Sequence, residues 1–307
     1  MSEKKKEKEY LDLDPRTAAV IERKKWKLHE KLGQGTYGKV FKAENLDPEG
    51  KSDCSYKERG VFGAVKVMFI DSMPEEFRDT MVQREIELMT RLRHPHILRV
   101  FDIFKAAGKY FIFMEFAGGG SLDKKCIPSP APVKFVKIWM KQIASALVYL
   151  HEDQAVAHRD IKLENVLLDH NSDAKLMDFG FSREHQGGAS RTVLGTLTYY
   201  SPQLVWGQGC DPYKSDVWAT GVMLYGLLTS KFAFSNVPRT RRVVDTKKWR
   251  SEMEGYLKGM KDNIYKKRDE YKGLDDGAKH LIDGCLRFNE VKRFNAMKIF
   301  QHPWLNK

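Results

Sequence analysis

His158-Arg159-Asp160-Ile161-Lys162-Leu163-Glu164-Asn165, followed thirteen residues on by Asp178-Phe179-Gly180, is the stretch on which the reading of this chain turns. It gathers two carboxylates, an amide and an amine into one short region. Phosphoryl transfer needs that set: a carboxylate to orient a hydroxyl, oxygen ligands for a divalent cation, and an amine to meet developing charge. Either segment alone could arise by chance. The pair at this spacing is a far more specific signal.

Such chemistry requires a phosphate-covering loop upstream, and Leu32-Gly33-Gln34-Gly35-Thr36-Tyr37-Gly38-Lys39-Val40 qualifies. Glycines at these positions let the backbone approach phosphate oxygens without a Cβ in the way. In isolation the segment reads equally well as an ordinary Gly-rich hairpin. Gly33 to Lys39 also fits the first seven positions of a P-loop, but the eighth, which should be Ser or Thr, is Val40.

Val61-Phe62-Gly63-Ala64-Val65-Lys66-Val67-Met68 follows as a buried strand with one lysine. Lys66 either snorkels to water at a strand edge or meets a buried partner. Glu85 is the candidate partner. The run Asp79 to Arg93 has helical spacing, and Val82, Glu85, Met89 and Leu92 fall on one stripe. A lone carboxylate on that stripe would be costly, and a Lys66–Glu85 ion pair removes the cost.

These five features stand in the order found in eukaryotic protein kinases, which the chain resembles from about Trp26 to its C-terminus. The resemblance implies an α+β, two-lobed fold: a small N-lobe with an antiparallel sheet and one long helix, and a larger, mainly helical C-lobe. It divides the chain into a polar arm (1–24), an N-lobe to the hinge (25–117) and a C-lobe (118–307), with one catalytic domain over about 26–305. It implies Asp160 as catalytic base, Lys162 as γ-phosphate contact, Asn165 and Asp178 as Mg²⁺ ligands, and Lys66 on the α- and β-phosphates, positioned by Glu85. Thr196 would contact Asp160 and Lys162.

The same resemblance places ATP along Leu32, Gly33, Gln34, Gly35, Thr36, Tyr37, Gly38, Lys39, Val40, Ala64 and Lys66, at the hinge residues Met114, Glu115 and Ala117, and on Leu167. Lys162 and Gly195-Thr196 look like the serine/threonine branch. Arg84-Glu85-Ile86, His94-Pro95-His96-Ile97 and His302-Pro303-Trp304 resemble the calmodulin-dependent kinase group, with testis-specific serine/threonine kinases nearest. Ser182, Ser190, Thr192, Thr196 and Thr198 are the candidate phosphate acceptors of the activation loop. Thr192 is the expected phosphate carrier, held by Arg159. Glu164, with Asp123 close to the hinge, implies a preference for basic peptides. One departure is plain: the family closes this segment with Ala-Pro-Glu, and here it is Ser201-Pro202-Gln203. Gln203 can hydrogen-bond Arg293 but cannot neutralise it.

Composition bounds what else the chain can be. Its 307 residues suffice for a two-lobed enzyme and little more. The longest apolar stretch, Val217 to Leu228, is too short to span a bilayer, and no secretory signal follows the charged N-terminus. Cys54, Cys126, Cys210 and Cys285 are scattered without zinc-ligand spacing, which fits a reducing cytoplasm or nucleus. The net charge is +12, and residues 231–272 hold thirteen Lys or Arg against six Asp or Glu. No zinc finger, basic zipper or aromatic-interleaved RNA motif accompanies them, so a solvated face or a docking patch for an acidic protein is expected rather than a nucleic-acid surface.

Further strands are expected over Leu98 to Phe104 and Tyr110 to Glu115, with a short helix near Arg16 to Lys24 and a surface loop over Asn45 to Gly60. Val136, Trp139, Met140, Ile143, Leu147 and Leu150 recur at helical spacing and read as core. A monomer acting on protein Ser/Thr residues is the expectation. A catalytically silent pseudokinase scaffold is the alternative, and it would need a broken catalytic set.

Overall fold

The computed structural model describes residues 13–35, 38–46, 62–69, 86, 88–179, 182–184, 197–207, 209–234 and 247–307. The chain divides into two compact units, one of Met1–Arg93 with Leu98–Ala117 and one of His94–Ile97 with Gly118–Lys307. The expected loop over 45–60 lies largely outside the described residues. So does most of the expected helix over 79–93, of which Ile86 and 88–91 are helical with Leu88, Met89 and Leu92 buried.

In the first unit, helix α1 (Pro15–Arg23) starts where Asp14 caps it. The Asp14 carboxylate accepts from Thr17 N at 3.0 Å and from Thr17 Oγ1 at 2.6 Å, and Pro15 takes the first helical position. Those bonds, with Lys109 beside them, hold the Asp14 carboxyl well below its ordinary range. Strands β1 (Trp26–Gly35), β2 (Gly38–Asn45), β3 (Phe62–Phe69), β4 (Val100–Ala106) and β5 (Lys109–Glu115) form one antiparallel sheet in the order β1-β2-β3-β5-β4.

Period-two alternation gives this sheet two unlike faces. Phe41, Ala43, Val65, Val67, Phe111 and Phe113 point one way and pack with Ile21 of α1 and Trp26. Stacking of Phe104 on Phe111 (5.0 Å) and Phe113 (5.5 Å) extends that core. The expected strand over 98–104 is shifted to Val100–Ala106 because Ala107 and Gly108, with φ of 49° and 70°, make the two-residue turn that joins β4 to β5.

The second unit begins with β6 (Gly120–Ser121), α2 (Leu122–Cys126) and α3 (Val133–Val148). Val136, Trp139, Met140, Ile143, Leu147 and Leu150 are all buried, the last just beyond α3. The short strands β7 (Val156–Ala157), β8 (Val166–Leu168), β9 (Ala174–Leu176) and β10 (Arg183–Glu184) follow, with β6-β8-β9 forming one sheet and β10-β7 another. Then come α4 (Pro202–Val205), α5 (Pro212–Thr229), α6 (Lys247–Lys261), α7 (Asp269–Lys272), α8 (Asp276–Cys285), α9 (Ala296–Phe300) and a closing 3₁₀ turn, Pro303–Asn306.

Helix α5 is the axis of this unit. It is buried from Ser215 to Thr229 on all sides, as an all-round apolar helix must be. Asp211 caps it and Pro212 opens it. A Cβ at Gly221 would lie 2.6 Å from Cys285 Cβ, so glycine there lets α8 pack close.

Candidate active site

The catalytic-loop sequence is held from beneath by one buried carboxylate. Asp216, 1 % exposed within α5, accepts the backbone N–H of His158 at 2.8 Å and of Arg159 at 2.7 Å, with His151 Nε2 at 2.9 Å. Leaving such donors unmet would cost about 1–3 kcal/mol each. His158 carries the order forward. Its Nδ1 accepts from Asp160 N at 3.2 Å and its Nε2 lies 3.1 Å from Met177 O, so the neutral ring donates at Nε2. Burial pushes its pKa down, which favours that neutral form. The ring also meets Phe179 edge-on at 5.0 Å.

On this support Asp160, Lys162 and Asn165 converge. Asp160 Oδ2 accepts from Lys162 Nζ at 2.6 Å and from Asn165 Nδ2 at 2.8 Å, while the same amide reaches Asp160 O at 2.8 Å. Both amide hydrogens of Asn165 are therefore spent within the loop, and its Oδ1 is the atom left to ligate. Met177 N donates to Asn165 O at 2.9 Å, which ties the loop to the chain entering Asp178. Arg159 and Asp178 both hold left-handed backbone, with φ of 69° and 66°. Non-glycine residues adopt that region at a cost that surrounding structure must over-determine.

Asn165 Oδ1 and the Asp178 carboxylate are hard oxygen donors, the kind Mg²⁺ takes alongside phosphate oxygens. Among the described residues no group of three His, Cys, Asp or Glu could hold a metal ion by itself. Two such donors would leave most of an octahedral Mg²⁺ shell to phosphate oxygens and water. Leu167 sits half-buried in β8, opposite Ser121 and Lys175.

Asp216 is the functional residue that motif reading missed. Its signal in the sequence is slight: a carboxylate one residue before the apolar run Val217 to Leu228. Ser182 is a correction in the other direction. It is 7 % exposed and its hydroxyl donates to His158 O at 3.1 Å, so it is a structural hydroxyl rather than an accessible phosphate acceptor.

In the first unit four of the expected nucleotide residues, Val40, Ala64, Lys66 and Met114, share the sheet face opposite Phe41 and Val65. Val40 lies opposite Lys66, which lies opposite Ile112, and Ala64 lies opposite Met114. Lys66 is half-buried on that face. Gly35 pairs with Gly38 across the β1–β2 turn, Gln34 with Lys39 and Gly33 with Val40, while Leu32 is 40 % exposed. A Cβ at Gly38 would come within 2.6 Å of Val67 O, so the fold itself requires glycine there. A Cβ at Gly33 would meet nothing within 4 Å among the described residues, so no close contact there requires glycine. Glu115 N donates to Arg99 O at 2.8 Å, which ties the end of β5 to the residue before β4, and Ala117 closes the unit. Thr36, Tyr37, Glu85, Ser190, Thr192 and Thr196 lie outside the described residues.

The segment after the activation loop is anchored through Gln203. Arg293, 1 % exposed, donates from Nη2 to Gln203 Oε1 at 2.9 Å, from Nη1 to Lys214 O at 2.9 Å and from Nε to Arg287 O at 3.0 Å. Gln203 Nε2 in turn donates to Phe288 O at 2.8 Å. Burial lowers the Arg293 pKa to about 10.

Comparison with known proteins agrees with this layout. The protein kinase domain family matches residues 26–305, and the chain belongs to that family. It is similar to Aurora kinase B-A of Xenopus laevis, 31 % identical over 278 residues, covering 89 % of this chain and 68 % of the relative. Human NUAK family SNF1-like kinase 2 is 36 % identical over 92 % of this chain and 41 % of its own length. CBL-interacting serine/threonine-protein kinase 20 of Arabidopsis thaliana is 32 % identical over 94 % and 60 %. The chain thus carries a serine/threonine protein kinase domain and spans from 41 % to 68 % of the length of these relatives. No helix among the described residues is long and apolar enough to cross a membrane.

Proposed function

We propose that the protein transfers the γ-phosphate of ATP to serine or threonine hydroxyls of protein substrates, with lobes over 25–117 and 118–307. The observation that carries this reading is the Asp160–Lys162–Asn165 cluster on buried Asp216. Asp160 orients the substrate hydroxyl and takes its proton. Lys162 meets charge on the transferring phosphate, with Thr196 beside it. Asn165 and Asp178 hold Mg²⁺, which when bound neutralises phosphate charge. Lys66, paired with Glu85, steadies the α- and β-phosphates. The segment Leu32 to Val40, with Ala64, Met114, Glu115, Ala117 and Leu167, holds the nucleotide.

Substrates and regulation follow from the same region. Glu164 and Asp123 both push up the pKa of the buried Tyr199 hydroxyl, after desolvation as the main cause. Asp123 Oδ1 is buried and has no hydrogen-bond partner among the described residues. Two carboxylates sharing one neighbourhood favour a cationic side chain, so peptides with arginine before the target residue are the preferred class. Phosphorylated Thr192, engaged by Arg159, would order the activation loop. A monomer in the cytoplasm or nucleus, with an acidic protein partner at 231–272, completes the reading. A pseudokinase scaffold is the second reading, favoured by one observation: Gln203 stands where the family has glutamate.

The test is transfer of the γ-phosphate to serine/threonine peptide libraries with Mg²⁺, for wild type and Asp160→Asn. Transfer by wild type, with a loss of about 10²–10⁴-fold in the variant, is expected for removal of a catalytic base. No transfer by activation-loop-phosphorylated wild type would favour the scaffold.

A further inference from the structure

One surface of the second unit departs from the rules a solvated helix follows. Helix α3 opens with no acid in its first turn; Lys134 stands there instead, where the helix dipole disfavours a cation. Lys137 and Lys141 follow at spacings of three and four, so like charges stack along one face. No carboxylate pairs with any of the three among the described residues. Neutral groups hold two of them in place. Lys137 lies over the Trp304 ring at 5.3 Å, and Lys141 lies over Phe300 at 5.7 Å and bonds Asn306.

Val133 and Ile138, 46 % and 40 % exposed, stand among these lysines and line a groove of about 530 Å³ with Leu305. The basic stretch at 231–272 behaves differently. Lys231 pairs there with Glu270, Lys266 with Asp283 at 2.5 Å and Lys272 with Asp269 at 2.8 Å. Its lysines are in part already neutralised; those of α3 are not.

We propose that the α3 groove docks an acidic peptide segment of a partner protein, one with an aliphatic or aromatic anchor flanked by Asp or Glu. The anchor packs on Leu305 between Val133 and Ile138, and the flanking carboxylates meet Lys134, Lys137 and Lys141. Charge complementarity selects this occupant. An anionic membrane shares the charge, but it calls for a protruding apolar face, whereas these apolar residues border a recess.

The experiment screens the whole chain against two displayed peptide libraries, with Leu or Phe flanked by Asp and Glu in one and by Lys and Arg in the other. Enriched acidic peptides are expected, weakening with added salt and losing at least about tenfold in affinity in Lys134→Glu/Lys137→Glu/Lys141→Glu. Phosphoryl transfer to a short peptide and thermal melting should be unchanged in that variant. Ile138→Ser supplies an independent arm and should weaken the same peptides without altering net charge. Equal enrichment from both libraries, or peptide affinity indifferent to both variants, overturns the proposal. So does charge-dependent binding to phosphatidylserine vesicles with no peptide enriched, or self-association lost in the triple variant.

Discussion

Asp216 and Arg293 are buried charges of opposite sign, each 1 % exposed, and each fastens a segment that the chemistry needs. Asp216 is met by two backbone N–H groups and an imidazole nitrogen. Arg293 is met by backbone carbonyls, by Gln203 and by the face of Trp218 at 5.0 Å. Neither depends on a simple carboxylate–guanidinium pair. A buried ion is tolerated when its hydrogen-bonding capacity is filled, whether or not a full counter-charge is present. The two differ in what they hold. Asp216 grips the two residues that precede Asp160, whereas Arg293 grips the segment at Gln203.

The largest effect is expected at Asp216. Asp216→Ala leaves two buried N–H groups unmet and should cost about 3–5 kcal/mol in denaturant unfolding, together with phosphoryl transfer. Arg293→Met should cost a similar or slightly smaller amount, about 3 kcal/mol, because the carbonyls of Arg287 and Lys214 lose their donor. A loss under about 1 kcal/mol for either would break the parallel, since a filled buried charge is costly to half-remove.

Gln203→Glu sharpens it. The carboxylate strengthens the bond to Arg293 but gives up the donor to Phe288 O, so the net gain should be small, about 1 kcal/mol or less. A clear destabilisation would show that the bond to Phe288 O, which only an amide can donate, outweighs the missing charge.

A smaller, pH-dependent effect falls on the histidines. Burial holds His94 down to about 4 and lowers His158 as well. Groups with depressed native pKa values bind more protons when unfolded, so their contribution is full above the unfolded value of about 6.5 and falls as pH drops. The urea midpoint should therefore decline between pH 6.5 and 4, and His94→Asn should flatten that decline. The smallest effect is expected for Ser182→Ala: it removes a single buried hydrogen bond, to His158 O, and should cost about 1 kcal/mol in denaturant unfolding.

The sequence exposed what is contiguous and hid what is not. His158 to Asn165 and Asp178 lie close together in the chain, so their residue types and spacing were readable. Asp216 is 57 and 58 positions from the amides it binds, and no local pattern announces such a bond. The strand over 61–68 was legible as an apolar run with one lysine, but the two faces that separate Phe41 and Val65 from Val40 and Lys66 show only in the strand pairing, because Val40 and Phe41 are both apolar. The start of β4 was misplaced because the Ala107-Gly108 turn, not the apolar run beginning at Leu98, sets its register. The share of α1 in the sheet core was also unseen, since a polar-looking arm contributes only Ile21 to it, with Leu13 and Val20 packed alongside.

The most direct measurement is the steady-state rate of phosphoryl transfer by Asp216→Asn, alongside its ATP affinity and thermal melting. Asparagine keeps the shape of Asp216 but replaces one acceptor oxygen with a donor facing a backbone N–H. With Asp216 setting the catalytic loop, kcat should fall at least about tenfold, a positioning loss, while ATP affinity stays within about twofold. A folded variant that retains wild-type kcat would contradict it.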